Sequence, residues 1–291
     1  MKALITGAQG QVGRCLLASV PAGVTSVGLT HAQLDVGDAD AVNRAVEQHR
    51  PSVIINAAAY TAVDRAETEI ELARRVNGLG PRHLARAAAA QGARLLHIST
   101  DFVFDGRASV PYAPDAPTAP LGVYGLTKLE GEQAVRELLP QASVVLRTAW
   151  VYAAQGANFL ATMLRVMAEK REVRVVADQI GTPTAADSLA AVLWGLAQRP
   201  EISGVHHFTD AGVASWYDFA MAICEAATRL HLLPPGIKVA AISTADYPTR
   251  ARRPAYSVLD KRTLLAALPL EPQHWRVSLR RVLQSLQCPP C

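Results

Sequence analysis

A doubly wound parallel α/β sheet, with a smaller mixed α/β lobe after it, is the fold class that this sequence predicts. Three observations carry the prediction. Short apolar runs rich in Val, Ile and Leu alternate with helix-like segments over the first 150 residues. A glycine triplet follows the first of those runs. Beyond residue 150 the alternation loosens and Pro and Gly turns multiply. Uninterrupted apolar runs suit strands buried on both faces. Strands separated by helices call for parallel pairing and crossovers of one hand.

In chain order, strands are expected over residues 2–6, 25–29, 52–56, 93–99 and 143–148, with another at 173–176. Helices are expected over 39–49, 71–92 and 130–139, and the second ends on Gly92, which suits a left-handed C-cap. In the later half, 188–198 and 215–230 read as helices, and 204–210 as a strand and its exit.

The chain has 291 residues, of which 50% are hydrophobic and 19% charged, so it can bury a sizeable core. Its net charge of +4 is spread among acidic residues, apart from the run Arg250 to Arg253. No basic stripe with interleaved aromatics is present, which argues against a nucleic-acid partner. A small anionic substrate fits better. No apolar run is long enough to span a bilayer, so no membrane partner is expected. Met1 leads straight into a strand, and a cytoplasmic protein without a signal peptide is the expectation. Cys15 and Cys224 read as small core residues. The terminal Cys288-Pro-Pro-Cys291 is half of a metal motif with no second Cys/His pair near it in sequence, so no metal is expected.

The glycine triplet is Gly7, Gly10 and Gly13, in "TGAQGQVG". Between a strand and a helix, such glycines allow a tight turn and let backbone approach a pyrophosphate at the positive helix terminus. This makes residues 1–150 a Rossmann-like NAD(P)-binding domain, to which later segments can return. Residues 151–291 are then mainly a substrate-binding lobe. The second strand ends near Thr30 and His31 without the carboxylate that holds the ribose hydroxyl in NAD sites; Asp35 comes five residues later. NADPH is therefore favoured, with NADH admissible.

"HISTDFVFDG" puts Ser99, Thr100 and Asp101 at the carboxyl end of the fourth strand, where open α/β sheets bind ligands. Tyr124 and Lys128 are four residues apart, so they share a face of the next helix. An ammonium beside a phenol favours phenolate and lowers its pKa, which would suit Tyr124 to exchange a proton with a carbonyl oxygen. Thr100 could orient the same oxygen. By chance alone this spacing should occur about 0.12 times in such a chain. What singles it out is its order, after the glycine loop and a Ser/Thr strand end.

That succession resembles the extended short-chain dehydrogenase/reductases that handle nucleotide sugars. The stretches "IINAAAYTAVDRAE", "HISTDFVFDG", "YGLTKLEGE", "LRTAWVYA", "GTPT", "SWYDFA" and "RRPAYSVLD" resemble one family of that branch, the dTDP-4-dehydrorhamnose reductases. Together with "LITGAQGQVG" and "VNGLGPRHLA" they run through most of residues 1–260. The resemblance implies NAD(P)H-dependent reduction of the 4-keto group of a dTDP-sugar, dTDP-4-dehydro-L-rhamnose. It implies that Gly10, Gln11 and Val12 hold the pyrophosphate, and that Asp35 and Val36 border the adenine. Ala59, Tyr60 and Thr61 would line the nicotinamide half. Lys128 would hold the nicotinamide ribose and tune Tyr124, the proton donor. Thr100 and Asp101 would contact the sugar, Trp150 would pack on it, and Arg253 would meet the nucleotide phosphates. Phe102 departs from the family pattern, which commonly has Tyr there. The first helix carries no carboxylate, so a metal-bridged dimer through it is not supported, while a homodimer remains compatible with the sequence. Two other readings stand beside this one. One is a different nucleotide-sugar reductase or epimerase. The other is a non-catalytic NADP-binding regulatory subunit, like the β subunit of methionine adenosyltransferase.

Overall fold

The structure, a computed structural model, describes residues 1–287. Cys288 and Cys291 of the terminal motif lie outside them. The first half runs β1 (Lys2–Thr6), α1 (Gln11–Ala18), β2 (Thr25–Leu29), α2 (Ala39–His49), β3 (Val53–Asn56), α3 (Val63–Ala66) and α4 (Ile70–Arg74). It continues through a π turn (Arg75–Leu79), α5 (Gly80–Gln91), β4 (Arg94–Thr100), a 3-10 turn (Asp101–Val103), α6 (Val123–Leu138) and β5 (Ser143–Thr148). The second half holds β6 (Val151–Tyr152), α7 (Phe159–Glu169), β7 (Glu172–Val176), β8 (Ile180–Gly181), β9 (Thr184–Ala185), α8 (Ala186–Ala197) and β10 (Gly204–His207). It closes with β11 (Ala214–Ser215), α9 (Trp216–Arg229), β12 (Lys238–Ile242), α10 (Arg262–Ala267) and α11 (Trp275–Ser285).

Six parallel strands form one sheet in the order β10-β5-β4-β3-β1-β2. Alternate residues bury into opposite layers, which explains the uninterrupted apolar runs. Leu4, Ile54, Leu95 and Val145 pack under α2, α5 and α6, with Val42, Leu84 and Val135. Ile5, Ile55, Leu96 and Leu146 pack on the other face, with Leu16 of α1 and Leu189, Leu193 and Trp194 of α8. Later segments thus return to this sheet. The eight-residue α1 is too short to cover its face alone, and α8 completes that cover. Trp194 Nε1 locks the two together by donating to the Leu16 carbonyl at 3.1 Å. The run 173–176 is a strand, but it stands outside the sheet: β7 pairs only with β12. A second core gathers Tyr152, Met163, Phe219, Trp275 and Leu283 between α7, α9 and α11. Among the described residues, no helix is long and apolar enough to cross a membrane.

The helix expected over 71–92 runs from Ile70 to Gln91, with the π turn as a one-turn bulge between α4 and α5. Pro81 has no N–H to give the ladder, and Asn77 turns inward to bond the backbone of Tyr60 instead. Gly92 caps the end at φ +68°, the left-handed conformation expected of it.

β1 lies between β2 and β3, so the connections leaving it diverge. A crevice opens at the carboxyl ends of β1 and β3, the switch point where such sheets bind ligands.

Candidate active site

The glycine loop fills the mouth of that crevice. Gly7 sits at φ +67°, and a Cβ there would lie 2.7 Å from the Ala57 backbone, at the exit of β3. A Cβ on Gly13 would lie 2.3 Å from the Gly7 carbonyl oxygen. The Gly10 N–H donates to that oxygen at 2.9 Å, and Gly10 caps α1 without a side chain. The first-turn N–H groups of α1 are left for an anion. Gln11 reaches across to the second half of the chain, where Asn158 Nδ2 donates to its Oε1 at 2.8 Å. Val12 packs toward the core beneath. Val36 is buried, and Asp35 pairs with Arg75 at 3.1 Å.

Ala59, Tyr60 and Thr61 follow β3. Asn77, from the π turn, accepts from the Tyr60 N–H at 2.9 Å and donates to its carbonyl at 3.0 Å. The Tyr60 hydroxyl donates to Glu69 at 2.6 Å, and that bond raises its pKa above the ordinary value.

Thr100 ends β4. Its hydroxyl donates to Asp101 Oδ1 at 3.1 Å and accepts from the Phe102 N–H at 3.2 Å. The start of α6 is pressed onto this turn, because Gly125 leaves no Cβ to clash with the Phe102 carbonyl, which would lie 2.2 Å away. The rings of Phe102 and Tyr124 meet edge to face, with centroids 5.4 Å apart. Gly122 offers no side chain at the helix cap. Glu67 fills that place by accepting the Val123 N–H at 2.8 Å. Tyr124 therefore stands beside Thr100.

The protonation expected of this pair is corrected. Burial, aided by the Asp101 charge, pushes the Tyr124 phenol up to about 12, and the nearby Thr100 hydroxyl offsets only part of the rise. Lys128 does not lower it. The Lys128 ammonium is buried and turned downward, donating to the Ile98 carbonyl at 2.7 Å with His97 Nε2 at 3.5 Å. Burial pushes Lys128 itself down to about 8, against the opposing charge of Glu132. Tyr124 is thus a fully protonated acid at neutral pH.

Ser99 points elsewhere. It bonds Glu132, which also receives the Arg147 guanidinium at 2.7 Å, and both charges are buried. That pair ties α6 to β5 behind the reactive side chains.

On the far side of the crevice, Trp150 takes φ +50° and lies flat on Trp216, with ring centroids 3.5 Å apart and planes 6° off parallel. Gly181 makes room for it: a Cβ there would lie 2.6 Å from the indole. Asp101 is 2% exposed, and burial pushes its carboxyl up to about 6. Among the described residues its Oδ2 has no partner at full hydrogen-bond geometry, although the Ser257 hydroxyl lies near enough to offset part of that rise. Arg253 is the candidate for the nucleotide phosphates. In the structure its Nη1 and Nη2 donate to Asp64 at 3.2 and 2.7 Å.

The family described as the RmlD substrate binding domain matches residues 1–288. The chain belongs to this family. A dTDP-4-dehydrorhamnose reductase of Streptomyces griseus is 45% identical over 97% of this chain and 93% of its own length. A probable dTDP-4,6-dihydroxy-2-methyloxan-3-one 4-ketoreductase of Streptomyces antibioticus is 42% identical, covering 98% and 96%. Among solved structures, a dTDP-4-dehydrorhamnose reductase of Bacillus anthracis in complex with NADP superposes with a TM-score of 0.92 at 34% identity, covering 98% and 99%.

In this member of the RmlD family, several supporting residues act far from their own place in sequence. Asn77, Glu67 and Asn158 act on backbone or side chains 17, 56 and 147 residues away. Arg75, missing from the end of β2 in sequence, arrives beside Asp35 from the π turn. His97 and Asn56 fall within stretches that carry the family resemblance, and the pairing of β3 with β4 sets their buried contact.

Proposed function

We propose that the chain reduces the 4-keto group of dTDP-4-dehydro-L-rhamnose, giving dTDP-L-rhamnose, with NADPH as the preferred cofactor and NADH as a second. What supports this reading above all is the meeting of Thr100, a protonated Tyr124 and Lys128 at the strand ends, beside a glycine cradle that a single Cβ would fill. The cradle fits a dinucleotide: Gly7, Gly10, Gln11, Val12 and Gly13 would take the pyrophosphate, Asp35 and Val36 the adenine side, and Ala59 to Thr61 the nicotinamide side. The bound nicotinamide supplies the hydride that reaches C4. Tyr124 then gives its proton to the C4 oxygen, since an alkoxide is far more basic than a phenolate. Thr100 orients that oxygen by a hydrogen bond. Asp101 accepts from a sugar hydroxyl. Trp150 covers the ring, and Arg253 meets the phosphates after Asp64 yields. In this reading the six-stranded sheet carries the dinucleotide and the second core carries the sugar nucleotide.

The test is oxidation of NADPH with purified protein and dTDP-4-keto sugar, run against UDP- and GDP-keto sugars. Turnover confined to the dTDP substrate is expected. The Streptomyces antibioticus relative favours one second reading, a 4-ketoreductase for a different dTDP-sugar. Faster turnover with the dTDP-4-keto sugar that lacks the 2-hydroxyl would establish it. NADPH binding without turnover on any keto sugar would leave only a regulatory role.

A further inference from the structure

A chain of buried polar groups runs beneath the reactive tyrosine and ends on Lys128. Asn56 closes β3, and its Oδ1 accepts from the Ala58 N–H at 3.2 Å and from the Thr6 hydroxyl at 2.6 Å. The backbone N–H can only donate, so this end of the amide is oxygen. The amide nitrogen therefore faces His97, with Nδ2 3.0 Å from Nδ1. An amide N–H₂ also only donates, so Nδ1 must accept and the ring proton must sit on Nε2. Nε2 in turn faces Lys128 Nζ at 3.5 Å. Two donors would oppose each other there if Lys128 were charged. A neutral amine, in contrast, accepts from Nε2–H while still donating to the Ile98 carbonyl at 2.7 Å.

We propose that His97 is a positioning residue for Lys128: its Nε2–H, fixed by Asn56 and Thr6, holds the amine that remains after Lys128 has given a proton. The inference rests on the reductase reading above. Tyr124 loses its proton to the substrate oxygen and becomes phenolate. Lys128 then gives up a proton that reaches that phenolate through intervening water, Tyr124 is restored, and Lys128 is left neutral with its lone pair on His97. Water returns the missing proton once product leaves. Burial and the Lys128 charge keep His97 itself well below its ordinary pKa, so it stays neutral throughout. Around the pair, α6 presents Tyr124 and Glu132, while β5 presents Arg147, which is turned onto Glu132; β3 presents only the uncharged Asn56.

Two measurements decide it. Nitrogen-15 NMR of the wild-type protein, with His97 assigned by its loss in His97→Gln, should show the neutral Nε2–H tautomer; the Nδ1–H tautomer overturns the proposal. The pH profile of kcat/KM should shift its Lys128 ionisation upward by about one pH unit in His97→Leu, from loss of one hydrogen bond to the neutral form. In His97→Gln, whose amide can donate, the profile should return toward wild type. An unmoved profile in an active His97→Leu protein also overturns it. The tautomer is read on wild-type protein, so failure of the leucine variant to fold leaves the proposal open to refutation. Absence of turnover with keto sugars would remove the reductase reading while leaving the tautomer result standing.

Discussion

Beneath the glycine loop, backbone does most of the work; around Trp150, side chains do. The half of the crevice proposed for the cofactor is shaped by Gly7 and Gly13, where a Cβ would strike backbone, and by Asn77 bonding both backbone groups of Tyr60. The half proposed for the sugar is assembled from Asp64, Asp101, Trp150, Trp216 and Arg253, drawn from separate segments and joined by stacked rings and a partly exposed ion pair. A backbone cradle is set in place by the fold and suits a ligand part that never varies. A surface of side chains can be retuned residue by residue, as a family handling several sugars requires.

Four substitutions test that contrast. Tyr124→Phe should cut turnover by about 10² or more while leaving the NADPH dissociation constant nearly unchanged. A parallel loss of cofactor affinity would move Tyr124 into the cofactor half. Gly13→Ala should weaken NADPH binding about tenfold or more, because its Cβ has only backbone to push against. Fluorescence titration reads this, and unchanged affinity would refute the cradle. Asp101→Asn acts on pH dependence. In the folded state burial raises this carboxyl from 3.8 to about 6, so the native protein holds a proton that the unfolded chain releases. Stability from this group is therefore lost as pH rises through that window, and the penalty persists at pH 7. Urea melts at pH 4 and pH 7 should differ less in Asp101→Asn than in wild type, and equal slopes would refute the assignment. Asp64→Asn should be the mildest change, lowering stability by less than about 1 kcal/mol, as exposed ion pairs do. It should also alter KM for the nucleotide sugar, because Arg253 is freed. An effect on NADPH affinity instead would dissolve the contrast.

Much of the sheet was legible because its signal is local. Apolar runs and intervening helices mark β1 to β5, and the glycine triplet marks the crevice. That α8 packs on this sheet and β10 joins it was harder to read, since their apolar patterns do not say which core they enter. The reactive residues were legible through spacing and order. Their protonation was not: the neighbour rule for Lys128 and Tyr124 ignores burial, which dominates both groups. Nor could the sequence reveal that Asp64 holds Arg253, because 189 residues separate them.

The return of the chain to its first sheet also bears on how the protein is made. β10 is the last strand added, and it covers the free edge of β5. Until residue 207 has left the ribosome, a nascent chain already containing five of the six strands carries that edge uncovered, together with a face that α8 has only just reached. Exposed strand edges recruit other strands. Translation pausing between residues 148 and 204 would prolong this interval, whereas a pause after β10 would find all six strands in place.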